Sequence, residues 1–224
     1  VGGRLYAGVS GFSYPAWRGG FYPPGAAPTD FLRLYAERLP SVELNTTGYR
    51  LPAQEQLERW AASTPATFRF AVKMSRRITH AGNLALIGTF CERVGILGER
   101  LGTILVQLPP ERARDDGLLR FVLDSLDPSP RYAFELRHES WDAPDVQALL
   151  DERGVARVGS LDGGAPFRYL RLREPPYGEA ALAALAGQLR PLLDQGIDVH
   201  AYFKHEDDPR GALYAERLLA LVGS

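Results

Sequence analysis

Cysteine is nearly missing from this chain: Cys91 is the only one in 224 residues. That excludes an intrachain disulfide and fits a reducing compartment. No apolar run approaches the roughly 18 residues of a membrane span, so no membrane partner is expected. Neither sign of charge dominates, with 26 Lys and Arg against 27 Asp and Glu. A global pull toward nucleic acid or anionic lipid is thereby disfavoured, and any electrostatic selectivity has to be local. The amino-terminal VGGRLYAGVS lacks a charged stretch followed by an apolar one. No signal peptide is expected, and a cytoplasmic location is. Metal-ligand spacing is lacking as well. His80, His138, His200 and His205 fall in no H-x-H, H-E-x-x-H or C-x-x-C pattern, so no metal or other cofactor is expected.

What the chain does have is alternation. Eight short segments switch between apolar and polar residues: Tyr6–Ser10, Ser41–Asn45, Arg69–Lys73, Thr103–Gln107, Tyr132–Arg137, Val155–Gly159, Phe167–Arg173 and Asp198–Lys204. Period-two alternation marks strands with two different faces. Amphipathic stretches lie between them. Thr29 and Asp30 precede FLRLYAERL, Pro52 opens AQEQLERWAAS, and apolar stripes run over 84–101, 115–126, 142–153, 179–193 and 208–222. Strand and helix alternate without a linker or a break in composition, which predicts one domain, residues 1–224, with parallel strands and right-handed crossovers. The strand count predicts a (β/α)₈ TIM barrel, since a doubly wound sheet has fewer strands. A doubly wound nucleotide fold would also carry G-x-G-x-x-G after its first strand, and GVSGFSYPAW does not. Only residues 160–166 separate the sixth and seventh strands, so either the helix there is reduced to a loop, the expectation adopted, or the sixth strand lies elsewhere.

Several stretches together resemble the YecE-like family of TIM-barrel proteins, grouped as domain of unknown function 72. They are GVSGFSYPAWRGGFYP (8–23), YAERLPSVELNTTGYRLP (35–52), W-x₄-P-x₂-FRFAVK (60–73) with ITH (78–80), and LGTILVQLPP (101–110). AFELRHESW (133–141), YLRL (169–172) and YFKHE (202–206) complete the set. The resemblance runs over nearly the whole chain in order. It implies a TIM barrel and names no reaction. The chain departs from the family pattern at Thr47-Gly48-Tyr49, at Arg173-Glu174 and at Lys204-His205, all at the rim of the barrel mouth, so substrate choice could differ from that of relatives.

Strand parity gathers the chemistry. With Val42 and Leu44 turned toward the helices, Glu43 and Asn45 face the axis; the same rule turns Lys73, Gln107, Glu135, Arg137, Arg171, Tyr202 and Lys204 inward. Two carboxylates then meet four cations at the C-terminal strand ends, where TIM-barrel sites lie. Charges there are costly unless paired, and two unpaired cations predict an anionic ligand gripped by arginine forks. Glu43 and Glu135 read either as an acid/base pair across the axis or as ion-pair partners of Lys73 and Arg137. The alternative for the whole set is a self-satisfied ion network closing the barrel top.

Trp17, Tyr49 and Trp141, with Tyr14, Phe21 and Tyr22, fall in loops after strands one, two and five. They could rim the mouth and stack on a sugar or nucleobase, or simply pin the loops. His138 reads as a proton-transfer or loop histidine, and Cys91 as inert core. The expected function is hydrolysis of a phosphorylated or otherwise anionic small molecule, nucleotide or sugar-like compound. Glu43 or Glu135 would serve as acid or base, with Lys73, Arg137 and Arg171 stabilising negative charge. Two alternatives stand beside it: a nuclease-like or DNA-repair protein gripping a nucleic-acid backbone, not favoured by the near-neutral charge, and a non-catalytic anion-binding barrel.

Overall fold

A computed structural model describes residues 2–223. Eight parallel strands alternate with helices: β1 (Leu5–Val9), β2 (Ser41–Leu44), β3 (Arg69–Lys73), β4 (Leu101–Gln107), β5 (Tyr132–Glu135), β6 (Ala156–Arg157), β7 (Phe167–Leu172) and β8 (Asp198–Phe203). They form two ladders, β2-β3-β4-β5-β6 and β7-β8-β1. The ladders meet at two seams. A single bridge pairs Ser10, just past β1, with Glu43 of β2, and the Gly159 N–H past β6 donates to the Tyr169 carbonyl of β7 at 2.9 Å. The strand order is that of a (β/α)₈ barrel, and the fold is TIM-barrel-like with two thinly bonded seams.

The β1–β2 seam is built around a phenol. Tyr35 accepts a hydrogen bond from the Val9 N–H at 2.9 Å and donates to the Ser41 carbonyl at 2.8 Å. Gly8 permits the close approach, because a Cβ there would lie 1.9 Å from the Ser41 oxygen. Inside the ring, Phe167, Tyr169 and Tyr202 of β7 and β8 face Ala71, Ala133 and Ala156 of β3, β5 and β6. Large side chains thus fill the space that small ones opposite leave free. Outward residues such as Val42, Phe70, Val106 and Phe134 pack under the helices.

Helices α1 (Phe31–Ala36), α2 (Gln54–Ala62), α3 (Arg76–Thr79), α4 (Ile87–Val94), α5 (Asp116–Ser125), α6 (Pro144–Glu152), α7 (Glu179–Asp194) and α8 (Arg210–Gly223) cover the outside. Three details differ from the expected pattern. The stripe over 84–101 is interrupted: Gly98 at φ 58° ends the helical run within a 3₁₀ segment, and Leu101 already belongs to β4. Asp30 makes no side-chain cap at α1, whose start is a 3₁₀ turn opened by Pro28. The one-turn α3, capped by Ser75, carries no apolar stripe long enough to be read in the sequence. As expected, no helix joins β6 to β7. The buried Arg168 guanidinium takes its place, donating to the carbonyls of Leu161, Gly163, Ala165 and Phe167 at 2.6–3.0 Å. No helix among the described residues is long and apolar enough to cross a membrane.

Candidate functional site

The inward residues at the C-terminal ends of β2, β3, β4, β5 and β7 form one continuous network. Arg171 is its centre. Its Nε and NH2 bind the two oxygens of Glu43 at 3.0 and 2.9 Å, and its NH1 binds Glu135 Oε2 at 2.8 Å. Glu43 is fully buried and also accepts from the Tyr169 hydroxyl at 2.7 Å and from Asn45 Nδ2 at 3.1 Å. Burial alone would raise the pKa of Glu43. The guanidinium groups of Arg171 and Arg173 and the donated hydrogen bonds outweigh it, holding the carboxyl below its ordinary range.

Glu135 is held differently. Gln107 Nε2 reaches it at 2.5 Å, and this bond and the one from Arg171 both fall on Oε2. Among the described residues Oε1 has no hydrogen-bond partner, and the side chain is 21% exposed. Gln107 in turn accepts from Lys73 Nζ at 2.7 Å. Lys73 is buried yet makes no ion pair among the described residues; its acceptor is a neutral amide. Burial, and then the charge of Arg171, push the ammonium pKa down.

Arg173, two residues beyond Arg171 on the same face, completes the cluster. Its NH1 donates to Ser10 Oγ at 3.2 Å, and Glu43 lies 4.0 Å from NH2, at the limit of an ion pair. Burial pushes its pKa down as well. Three cations therefore meet two carboxylates, and Arg171 absorbs most of both. The excess is one cation instead of the two expected from the sequence, because Arg137 and Lys204 lie outside the cluster, and Lys73 and Arg173 share it.

Several sequence-predicted positions lie elsewhere. Arg137 and Lys204 are exposed and make no side-chain hydrogen bond or ion pair among the described residues, since β5 ends at Glu135 and β8 at Phe203 and alternation loses its meaning past the last rung. Tyr202 faces inward but is buried below the mouth. Ser41 Oγ gives its one proton to the Arg69 carbonyl at 2.6 Å, so Tyr202 must donate to Ser41 at 2.6 Å and accept from His200 Nδ1 at 3.2 Å. Trp17 and Trp141 are fully buried and donate to the carbonyls of Glu206 and Arg112 at 3.2 and 2.8 Å, pinning loops instead of rimming a pocket. Phe21 and Tyr22 are likewise buried. His138 caps a 3₁₀ turn through Ser140. Tyr49 stays at the rim, 68% exposed, its ring 5.9 Å from Lys73 Nζ and 5.4 Å from the Arg76 guanidinium. Sequence reasoning missed Arg173 as a site residue, although it continues the Tyr169, Arg171 parity; the residue drew notice only as a departure from the family pattern.

Beside the network a cleft of about 730 Å³ opens between the loops that follow β1 and β2, with Ser10, Phe12, Tyr14, Asn45, Tyr49 and Trp60 in its walls. Ser10 and Asn45 belong to cleft and network alike. Among the described residues, no group of three or more His, Cys, Asp or Glu side chains is arranged to hold a metal ion.

Comparison with known proteins bears on the family and the fold. The profile of the family described as "Protein of unknown function DUF72" matches residues 6–224. The UPF0759 protein YecE of Escherichia coli (strain K12) is 34% identical over 165 residues, covering 69% of this chain and 58% of that protein. The UPF0759 protein YunF of Bacillus subtilis (strain 168) is 26% identical over 155 residues, covering 62% and 53%. The chain spans a little over half the length of these curated relatives. A DUF72 family protein of Thermotoga maritima MSB8 superposes with a TM-score of 0.84 at 22% identity, over 99% of this chain and 100% of that one. One from Enterococcus faecalis V583 gives 0.80 at 19%, over 99% and 98%. At such identities the likeness speaks for the fold alone. With the family profile spanning all but the first five residues, this chain belongs to the DUF72 family, the YecE-like proteins.

Proposed function

We propose that the chain is a hydrolase-type enzyme for a phosphorylated or otherwise anionic small molecule, with Glu135 as its proton-transfer group. One observation carries the reading: both hydrogen bonds to Glu135 fall on Oε2, leaving Oε1 unpartnered among the described residues, while Gln107 links the carboxylate to Lys73, a buried lysine without an ion pair among those residues. A water held at Oε1 would lose its proton to the carboxylate as it attacks the substrate. Lys73 and Arg173, the two poorly compensated cations, would hold the anionic group and stabilise the charge that develops. Glu43 is a positioning residue in this scheme, since every lone-pair direction the site offers is turned toward Arg171, Tyr169 or Asn45.

The extensive pairing of Arg171 supports a second reading, a non-catalytic anion-binding barrel. The two separate on Glu135→Gln. The enzyme reading requires that wild type be stabilised by inorganic phosphate or a sugar phosphate in a thermal-shift titration. It also requires that Glu135→Gln keep that stabilisation while losing turnover of whichever phosphate ester the wild type hydrolyses. A wild type that no millimolar anion stabilises would refute it.

A further inference from the structure

We infer that the cleft beside the barrel mouth is a subsite for a nucleobase, so that the substrate is a nucleotide whose phosphate lies at the mouth and whose base lies between the β1 and β2 loops. This rests on the anionic-substrate reading above and adds the substrate class.

The walls of the cleft combine flat faces with unused hydrogen-bonding edges. Phe12, Tyr49 and Trp60 supply the faces, while Tyr14, stacked on His205 at 5.0 Å and tilted against Trp17 at 4.7 Å, closes the wall. Trp60 is half-buried, with Phe70 stacked on it at 6.3 Å and Phe12 set edge-on at 6.2 Å. The unused edges are the Trp60 indole N–H, the Tyr49 hydroxyl and the Gln56 carboxamide, none of which has a hydrogen-bond partner among the described residues. An amide that can donate and accept matches the edge of a base, as aromatic faces match its plane. No Asp or Glu lines the cleft, so nothing there repels a phosphate, and the carboxylates that would grip sugar hydroxyls are missing. The cleft is also joined to the mouth. Ser10 Oγ in its wall receives the Arg173 guanidinium, and Asn45 in the same wall contacts Glu43 and Arg171. A volume of about 730 Å³ is within the range of small-molecule sites.

The chain carries its own reporter. Trp17 and Trp141 are fully buried, leaving Trp60 as the tryptophan that a ligand in the cleft can touch. Titrating wild type with AMP should quench tryptophan fluorescence saturably and raise the melting temperature. Ribose 5-phosphate should raise the melting temperature and leave the fluorescence unchanged. Trp60→Phe should abolish the quench. Gln56→Ala, at a half-buried position of α2 facing the cleft, should weaken AMP about three- to tenfold and leave ribose 5-phosphate unaffected. If AMP and ribose 5-phosphate stabilise equally and neither changes the fluorescence, the base subsite is refuted and the anionic reading stands. If cellobiose quenches where AMP does not, the cleft is a sugar site and the inference is overturned. If adenosine quenches while no phosphate compound stabilises, the base-binding cleft holds and the anionic reading falls.

Discussion

Glu43 and Glu135 share one arginine, yet neutralising them should have very different consequences. Glu43→Gln removes charge at a fully buried position where Arg171 is held twice and where Tyr169 and Asn45 also converge. Breaking a buried pair costs about 3–5 kcal/mol, and at this chain length each kcal/mol lowers the melting temperature by about 2–4 °C. A fall of about 6–20 °C is expected. Glu135→Gln removes one contact to Arg171 at a side chain that is 21% exposed, and Arg171 keeps its two bonds to Glu43. Partial solvation reduces the loss toward that of a surface pair, about 1 kcal/mol, or about 2–4 °C. Melting curves of the two variants beside wild type at neutral pH decide the matter, before any substrate is known. Equal, large falls would refute the division of labour, because Glu135 would then be as structural as Glu43. With a substrate in hand, Glu135→Gln should lower turnover by about a hundredfold or more.

Three further outcomes are expected. Burial, with Arg131 next, pushes the His200 imidazole down to about 3, among Tyr6, Tyr202, Arg69, Arg131 and Asp198. An unfolded imidazole titrates near 6.5, so below that pH only the unfolded chain takes up the proton; stability should be full above pH ~6.5 and fall by about 1.4 kcal/mol per pH unit on acidification. Urea midpoints of His200→Gln between pH ~6.5 and ~4.5 should lose most of that slope, and an unchanged slope would show that another group controls it. Gly8→Ala should cost about 3 kcal/mol or leave the chain insoluble, because its Cβ would meet the Ser41 carbonyl at 1.9 Å, read by urea denaturation. Arg168→Ala should expose the segment after β6 to limited proteolysis, since four carbonyls lose their donor; resistance equal to wild type would mean that the loop is held by other contacts.

Parity made much of this legible in the sequence. The alternation in Ser41–Leu44, Arg69–Lys73 and Tyr132–Glu135 sends Glu43, Lys73 and Glu135 to one side, and the ladder registers then bring them together. What alternation leaves open is height along the axis and where each ladder stops. Tyr202 has the right parity at the wrong level, and Arg137 and Lys204 sit past their strands' ends, where the next peptide is free to turn. Arg173 is also beyond its strand and stays at the site because Ser10 and Glu43 hold it, a contact of residues 163 and 130 positions apart that no local pattern announces. Aromatic loops were ambiguous for a related reason. Trp17 and Trp141 satisfy their indole N–H groups on carbonyls far along the chain, and that is what turns them beneath the surface.

The two seams give the charge network another role. Glu43 and Glu135 stand on the five-stranded ladder, while Arg171 and Tyr169 stand on the three-stranded one. Each bond from Arg171 to a glutamate is thus a clasp between two halves whose backbones scarcely touch at the joins. A bound anion that adds acceptors for Lys73 and Arg173 would tighten the clasp, whereas one that competes for Arg171 would loosen it. On the anionic-ligand proposal, occupancy of the mouth and parting of the two ladders would be a single linked equilibrium. Amide exchange at the joins, in β1 and β7, is where that linkage would be felt first.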